Sequence, residues 1–330
     1  MPNLSCLIAL PRTSSTAFES SMLARNDFEV YHEPWCLWYY TNKGFTVPER
    51  YQPKFFQENK DDKHQFFKNL LEDSTKSNIF VKDFSYNLFD ILSKFSETSA
   101  EPLAPDIKFV FLMRHPRTTT LSFHKTATDA HVEVLDFMEE QLNYEVLLKT
   151  YELCWQLTKE QPLLIEAEHL GEIPEQVIHR YCEYTKIDFK EVMLKWPSKE
   201  ENLPFAWEIG RNWHQETIKS TGFKPLRSDN PDYYNGLPKQ EQERIEKLTN
   251  QQLPFYEQLR IYSSTADLVP TTVHKENGQI NSSSLSALHS AQGLVAHIGK
   301  QGNDKTREKL PENTDEDEVE HHQSIKTICV

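Results

Sequence analysis

Short, almost entirely apolar runs separated by stretches of helical patterning constrain the fold of this chain more than any other feature. The clearest run is IKFVFLMRHP at 107–116, and its lack of polar alternation is typical of a strand covered on both faces of a parallel sheet. Similar runs occupy 4–10, 28–31, 78–83 and 162–170. Strands that alternate with helices predict an α/β fold in which helices flank a parallel β-sheet.

Periodic patterns between these runs predict the helices of the fold. They cover about 16–23, 62–71, 88–95, 118–126, 134–159 and 174–186. Residues 35–60 are aromatic and show no regular period, so an irregular segment is predicted there. Its aromatic run at 35–40 is expected either to pack a loop or to line a ligand pocket.

The composition changes after Tyr262, where polar residues and a compact acidic run, PENTDEDEVEHH, replace the periodic patterns. A segment of this kind buries too little apolar surface to offset the entropy that it loses on ordering. We therefore predict one folded domain over 1–262 and a largely disordered acidic tail over 263–330.

Charge and cysteine content exclude several classes of protein. The 330 residues carry a formal net charge of −14, whereas duplex-binding proteins present basic faces, so no nucleic-acid partner is expected. The five cysteines include no CxxC pair, so neither a disulfide framework nor a zinc cluster is predicted.

The N-terminus lacks a basic stretch before an apolar core, and no apolar run approaches the ~20 residues that span a bilayer. A cytoplasmic protein with reduced thiols and no membrane span is therefore expected.

A hydroxyl-rich loop, PRTSST at 11–16, follows the first predicted strand and precedes the first predicted helix. The N-terminus of a helix presents unpaired N–H groups, and loop amides can form a nest around phosphate oxygens. Hydroxyl donors and one guanidinium fork would complete such an anion site. The candidate anion-binding residues are Arg12, Thr13, Ser14, Ser15 and Thr16. An ordinary helix cap, with Glu19 three residues after Thr16 as in a capping box, is the alternative.

A second polar loop, RHPRTTTLSFHK, begins at Arg114 directly after the clearest strand. Ser122 lies eight residues later, two turns into the following predicted helix, where its hydroxyl could face the same anion as Arg114. An arginine–serine clamp of this kind would hold a second phosphate. The alternative interpretation of this loop is the polar, solvent-exposed start of a helix. Because ligands of open α/β sheets bind beyond the carboxyl ends of the strands, both loops are expected to share one crevice.

The two loops together resemble the sulfotransferases that use 3′-phosphoadenosine 5′-phosphosulfate (PAPS). In that family a P-R-S-G-S-T variant of the first loop holds the 5′-phosphosulfate, and PRTSST is similar to it, with Ser14 where glycine is usual. The family's second motif places an arginine and a serine eight residues apart around the 3′-phosphate, which is the spacing of Arg114 and Ser122.

Further segments resemble a bacterial and plant branch of that family, namely FEVYHEP, FVKD, PLLIEAEHL, VMLKWP and STGF. The resemblance covers 1–262. It implies a P-loop NTPase-like sulfotransferase fold with PAPS as co-substrate and no metal.

The same resemblance implies catalytic roles around the second predicted strand, where FEVYHEP ends. Family branches with a glutamate here use it as the base, which implies this role for Glu33. His32 is the alternative base, because imidazole exchanges protons readily near neutral pH. A purely structural turn at His-Glu-Pro is the third interpretation. Lys82, near the end of the third predicted strand, is expected to assist at the leaving group or to contact the acceptor.

The leading prediction is transfer of a sulfuryl group from PAPS to a hydroxyl or amine of a small-molecule or glycan acceptor. One alternative is a nucleotide-dependent phosphotransferase or hydrolase of the P-loop superfamily, although PRTSST has neither the glycine nor the lysine of a Walker loop. The other is a catalytically degenerate interaction protein. The acidic tail also resembles export signals of bacterial effectors that use signal-peptide-independent secretion machinery, and a solubilising tail is the alternative there.

Overall fold

A computed structural model of the chain describes residues 3–44, 52–58, 62–73, 77–98, 107–129, 135–208, 210–226, 230–265 and 268. Its strands are β1 Leu4–Ala9, β2 Glu29–His32, β3 Ile79–Phe84, β4 Ile107–Met113 and β5 Leu163–Glu166. They form one sheet in the order β2-β3-β1-β4-β5, and every pairing is parallel. The predicted α/β fold class, a parallel sheet flanked by helices, is confirmed.

The helices of the described residues follow in chain order. They are α1 Ser15–Leu23, α2 Cys36–Asn42, α3 Lys54–Glu58, α4 Lys63–Asp73, α5 Ser85–Thr98, α6 Pro116–Asp129, α7 Leu135–Gln141, α8 Tyr144–Thr158, α9 Ala167–Glu172, α10 Pro174–Thr185, α11 Gln215–Ile218, α12 Pro231–Gly236 and α13 Lys239–Arg260. Short 3-10 turns lie at Glu191–Met193, Phe205–Trp207 and Arg211–Trp213.

Both faces of the sheet are covered, which is why its strands read as continuous apolar runs. Alternate residues of β1 point to opposite faces: Ile8 joins one buried cluster with side chains of α5 and α8, and Leu7 joins another with side chains of α1 and α10. On the second face Phe18 packs edge-on against Tyr181, with ring centroids 4.9 Å apart. The carboxyl end of β1 is therefore held in place from both sides.

The helical bounds differ from the prediction in several places, and four short helices, α3, α9, α11 and α12, have no predicted counterpart. The segment predicted to be irregular contains α2, because Trp38 packs against Phe66 in a contact that the local pattern does not reveal. The helix predicted over 134–159 is two helices, since the Asn143 side chain caps α8 by accepting the Val146 N–H at 3.0 Å. The 22-residue α13 has no counterpart in the prediction.

Strand register places the candidate residues at one end of the sheet. His32 is the last residue of β2 and lies opposite Lys82 of β3, and the Glu33 N–H continues this pairing by donating to the Lys82 carbonyl at 2.6 Å. Ala9, the last residue of β1, lies opposite Phe84 on β3 and opposite Leu112 on β4. The loops that follow these strands therefore open into one crevice, as predicted for this class of sheet.

The first residues of the predicted tail pack against β5. Ser264 donates its N–H to the Leu164 carbonyl at 2.8 Å, and Thr265 accepts the Glu166 N–H at 3.2 Å. The acidic run and the remainder of 263–330, apart from Leu268, lie outside the described residues, as does Cys329. The four described cysteines are all free thiols. Within the described part of the chain, no helix has the length and apolar character that a membrane crossing requires.

Candidate active site

The loop between β1 and α1 adopts an unusual backbone conformation. Arg12 and Ser14 have φ angles of 68° and 67°, in the left-handed region that favours glycine. Such turns at helix N-termini are where backbone N–H groups gather around an anion. The left-handed φ of Ser14 also explains why the family that this loop resembles usually has glycine at the equivalent position, since glycine adopts this conformation without strain. The Thr13 hydroxyl points elsewhere: it donates to the Leu10 carbonyl at 2.8 Å and is buried.

The two predicted anion motifs meet at Arg12. Its Nε donates to the Ser122 hydroxyl at 3.2 Å, and its Nη1 donates to the Trp213 carbonyl at 2.8 Å. Arg114, which is buried, donates to the Arg12 carbonyl at 3.2 Å. Burial, and then repulsion from the Arg114 guanidinium, lower the pKa of Arg12 to about 10. Arg12 is half-buried and Arg114 is buried, and although Glu216 offsets part of the repulsion, the two cations make this region electropositive and suited to an anion.

Beside this region, Lys82 and Glu33 form a buried ion pair. Lys82 extends from β3 with its ammonium 4.4 Å from the centre of the Phe84 ring, and Glu33 follows β2 with a left-handed φ of 43°. Burial opposes ionisation of Glu33, but attraction to Lys82 and His32 outweighs it, so the pKa of Glu33 lies below its usual value. Glu33 is therefore a carboxylate whose charge Lys82 already balances.

His32 is held between two carboxylates. Its Nδ1 lies 2.6 Å from Glu19 Oε2, and its Nε2 lies 3.6 Å from Glu33 Oε1. Glu19 is almost fully buried, and its other oxygen accepts the indole N–H of Trp207 at 2.8 Å. When Nδ1 donates its hydrogen to Glu19, Nε2 is the nitrogen left to exchange a proton on the other side of the ring. The capping-box alternative is wrong, since α1 has no side-chain cap and Glu19 instead orients His32.

His214 is a site residue that the sequence did not indicate. It follows the turn Arg211–Trp213, and its ring centre lies 5.0 Å from that of His32. Burial, then the neighbouring charges of His32 and Lys82, lower its pKa well below the usual value, so His214 is neutral. The segment around it carries no periodic pattern, and nothing in its local sequence places it beside β2.

Nitrogen and oxygen atoms of His32, Glu33 and His214 lie within 4.8 Å of one another, a spacing compatible with a metal ion. The surroundings fit a cation poorly. Lys82 already neutralises Glu33, and both Lys82 and Arg12 contribute to the depressed pKa of His214. This electropositive setting favours an anion at the site.

A cavity of about 280 Å³ connects these groups. Pro11, Arg12, Ser15 and Thr16 line the end next to the first loop, and His32, Glu33, Lys82 and His214 lie along its polar wall. Ser122 and Arg114 are linked to the cavity through their contacts with Arg12. The described lining thus includes six of the predicted residues, namely Arg12, Ser15, Thr16, His32, Glu33 and Lys82. Thr13 and Ser14 are not part of that lining.

Comparison with known proteins gives a family match and several structural neighbours. The family model described as "Sulfotransferase domain" matches residues 6–261. Among solved structures, the sulfotransferase domain from the curacin biosynthetic pathway is 16% identical, with 75% of this chain and 97% of that chain covered and a TM-score of 0.42. The sulfotransferase from Alicyclobacillus acidocaldarius is 12% identical, with 79% and 95% covered and a TM-score of 0.43.

A mouse sulfotransferase complexed with PAP is 11% identical, with 81% of this chain and 89% of that chain covered and a TM-score of 0.37. The comparison with curated proteins gave no match. The family match extends over most of the described residues and contains both anion loops, β2 with the glutamate that follows it, and His214. By that match the chain belongs to the sulfotransferase family, which supports sulfotransferase activity in general.

Proposed function

We propose that this protein transfers the sulfuryl group of PAPS to an acceptor hydroxyl or amine. The observation that carries this proposal is the meeting of Arg12, Ser122 and Arg114 at the N-terminus of α1. The Arg12 side chain lies against Ser122, and the positive charge of Arg114 lowers the pKa of Arg12, so a phosphate there would be stabilised by both cations. PAPS carries phosphate at both ends of its ribose. Membership of the sulfotransferase family favours this donor over a nucleoside triphosphate.

In the proposed complex the loop 11–16 holds the 5′-phosphosulfate and the clamp of Arg114 and Ser122 holds the 3′-phosphate. The Ser122 oxygen accepts from Arg12, which leaves its own O–H free to donate to a phosphate oxygen. Arginine forks form short, charge-assisted bonds with phosphate. The nucleotide would therefore bind between the carboxyl ends of β1 and β4.

The transfer itself needs charge stabilisation and a base. The acceptor oxygen or nitrogen forms a bond to sulfur while the bridging S–O bond breaks, and the electron pair leaves on the 5′-phosphate of PAP, the desulfated nucleotide. Arg12 and Lys82 are preorganised cations for the charge that develops on that leaving oxygen. The acceptor proton must pass to a base within hydrogen-bond reach.

His32 and Glu33 compete for the role of base, and the contacts favour His32. The ion pair with Lys82 and a lowered pKa make Glu33 a weak proton acceptor. His32 presents Nε2 on the side opposite Glu19, and the Glu19 carboxylate would stabilise the imidazolium that forms when Nε2 takes the proton. Glu33 then acts through Lys82, by holding that ammonium at the crevice.

Calorimetry with nucleotides tests the donor site. PAP should bind much more tightly than AMP, and Arg114→Ala should remove most of that preference, since losing a charge-assisted bond costs about 1.5–3 kcal/mol, or tenfold and more in affinity. Lys125→Ala, which removes an exposed cation of α6, the helix that follows Arg114, is the matched control and should leave both affinities unchanged. Equal affinity of the wild type for PAP and AMP would contradict the proposal.

Turnover distinguishes an enzyme from a degenerate interaction protein. Radiolabelled PAPS is incubated with the full chain and a panel of alcohols, phenols, amines and sugars, and transfer of label is measured. Tight PAP binding without transfer to any acceptor would favour the interaction protein.

A further inference from the structure

Aromatic side chains form most of the cavity wall beyond its polar end. Those among the described lining residues are Tyr31, Tyr40, Phe84, Tyr86, Phe123, Phe205 and Trp213. Phe84 and Tyr86 stack with ring centres 5.4 Å apart, and Phe123 packs against Trp213 at 5.0 Å. Apolar rings on two sides favour an apolar ligand over a hydrated one.

The hydrogen-bonding groups on this wall are largely engaged within the protein. Tyr31 donates its hydroxyl to Glu29 at 2.7 Å, and Tyr40 accepts from the Gln141 amide at 3.2 Å. The indole N–H of Trp213 is buried and has no hydrogen-bond partner among the described residues. A buried donor of this kind is costly unless a ligand oxygen satisfies it.

Charge is confined to the polar end of the cavity. Among the described lining residues, the charged side chains are Arg12, Glu33 and Lys82, and the last two neutralise each other. A sugar with several hydroxyls would lose hydration without finding partners here, and an anionic glycan would meet no second set of cations. The volume of about 280 Å³ is also small, just below the roughly 300–1,000 Å³ usual for ligand sites.

We infer that the acceptor is a small, mainly apolar alcohol or phenol with one reacting hydroxyl. Its apolar body lies among the rings of the wall, and its hydroxyl points towards His32 and Glu33 beside the first loop. The hydroxyl oxygen forms the new O–S bond, its proton passes to His32 Nε2, and PAP leaves with the electron pair of the broken S–O bond. This inference rests on the proposed function. It narrows the proposed acceptors, which are hydroxyls or amines in general, to apolar alcohols and phenols.

The test measures acceptor binding to the full chain saturated with PAP. β-Naphthol is the apolar probe and methyl glucoside is the sugar probe, and each is titrated by calorimetry and then offered to the enzyme with radiolabelled PAPS. We expect saturable binding and sulfation of β-naphthol, and at least tenfold weaker binding of the glucoside. Preferred binding or sulfation of the glucoside overturns the inference, as does a lack of saturable binding of both probes.

A pair of variants locates the binding to this cavity. Phe205 lines it and is 50% exposed, so Phe205→Ser should fold normally and weaken β-naphthol binding several-fold. Val192→Ser changes an apolar residue with 44% exposure that is not part of the cavity, and it should have no effect. Equal affinity in both variants overturns the inference. Because PAP affinity is measured first, a chain that does not bind PAP contradicts the proposed function, whereas normal PAP binding with rejection of β-naphthol contradicts only the acceptor class.

Discussion

Replacing Glu33 with glutamine should destabilise the whole domain, because it leaves the Lys82 ammonium buried without a counter-charge. The Lys82 side chain is 0% exposed and that of Glu33 is 11% exposed. Removing one partner of a buried ion pair typically costs about 3–5 kcal/mol. The small opening at Glu33 admits some solvent, so we expect a loss of about 3 kcal/mol in the free energy of unfolding.

Urea denaturation of three variants measures this effect. With an m-value of about 3 kcal/mol/M, Glu33→Gln should lower the midpoint by about 1 M. The double variant Glu33→Gln with Lys82→Met removes both charges and should recover most of the loss. Glu140→Gln breaks the exposed pair with Lys43, whose side chains are 42% and 37% exposed, and should cost less than about 1 kcal/mol.

The reasoning is refuted if Glu33→Gln costs no more than Glu140→Gln, or if the double variant is no more stable than the single one. The prediction also affects how kinetics at this position are interpreted. Loss of turnover in Glu33→Gln therefore identifies Glu33 as the base only if the stability of the variant and its affinity for PAP are intact.

Three further predictions concern Asp83, a buried residue of β3, together with Ser14 and Glu19. Burial raises the pKa of Asp83 from an ordinary 3.8 to about 7, so the folded protein holds the proton of Asp83 more tightly than the unfolded chain does. This stabilises the fold by up to about 4 kcal/mol, fully below about pH 4, and the stabilisation is lost as the pH rises to about 7. Thermal unfolding of Asp83→Asn should accordingly show a flatter pH dependence over this range than the wild type. Ser14→Gly should stabilise the domain by about 0.5–1 kcal/mol in denaturant titrations, because glycine adopts the left-handed φ without strain; Ser20→Gly, inside α1, should instead destabilise it. Glu19→Gln should slow turnover by about tenfold or more, up to the 10²–10⁴ that general-base catalysis supplies, because Glu19 orients His32. PAP affinity should stay unchanged in calorimetry, and parallel losses of turnover and affinity would mean a merely structural role.

The sheet and its two anion loops could be predicted because their signals are local. A strand buried on both faces must be apolar throughout, as β4 is, and a loop that follows it must begin where the apolar run ends. Arg12 and Ser122 are 110 residues apart, and the carboxyl ends of parallel strands bring their two loops to one edge of the sheet. The sequence paired Ser122 with Arg114, whereas in the structure its hydroxyl accepts from Arg12.

The parts that were missed depend on contacts between distant segments. Thr16 and Glu19 have the spacing of a capping box. The actual partners of Glu19 are His32 at the end of β2 and Trp207, which are distant in the sequence. His214 reaches the site from an irregular segment, so no period could place it. The charge balance between Lys82 and Glu33 likewise needs the register of two strands, which a one-dimensional pattern does not contain.

The contacts of Ser264 and Thr265 with β5 bear on where this domain can be cut. β5 is an edge strand, and an uncovered edge invites another copy of the chain to add a strand of its own. Ser264 occupies both backbone groups of Leu164, through its N–H and its hydroxyl, while Thr265 accepts from Glu166. The family match ends at 261, so a protein that ends there would leave the backbone groups of the β5 edge exposed and tend to self-associate. A protein that extends through 268 keeps Ser264 and Thr265 over that edge.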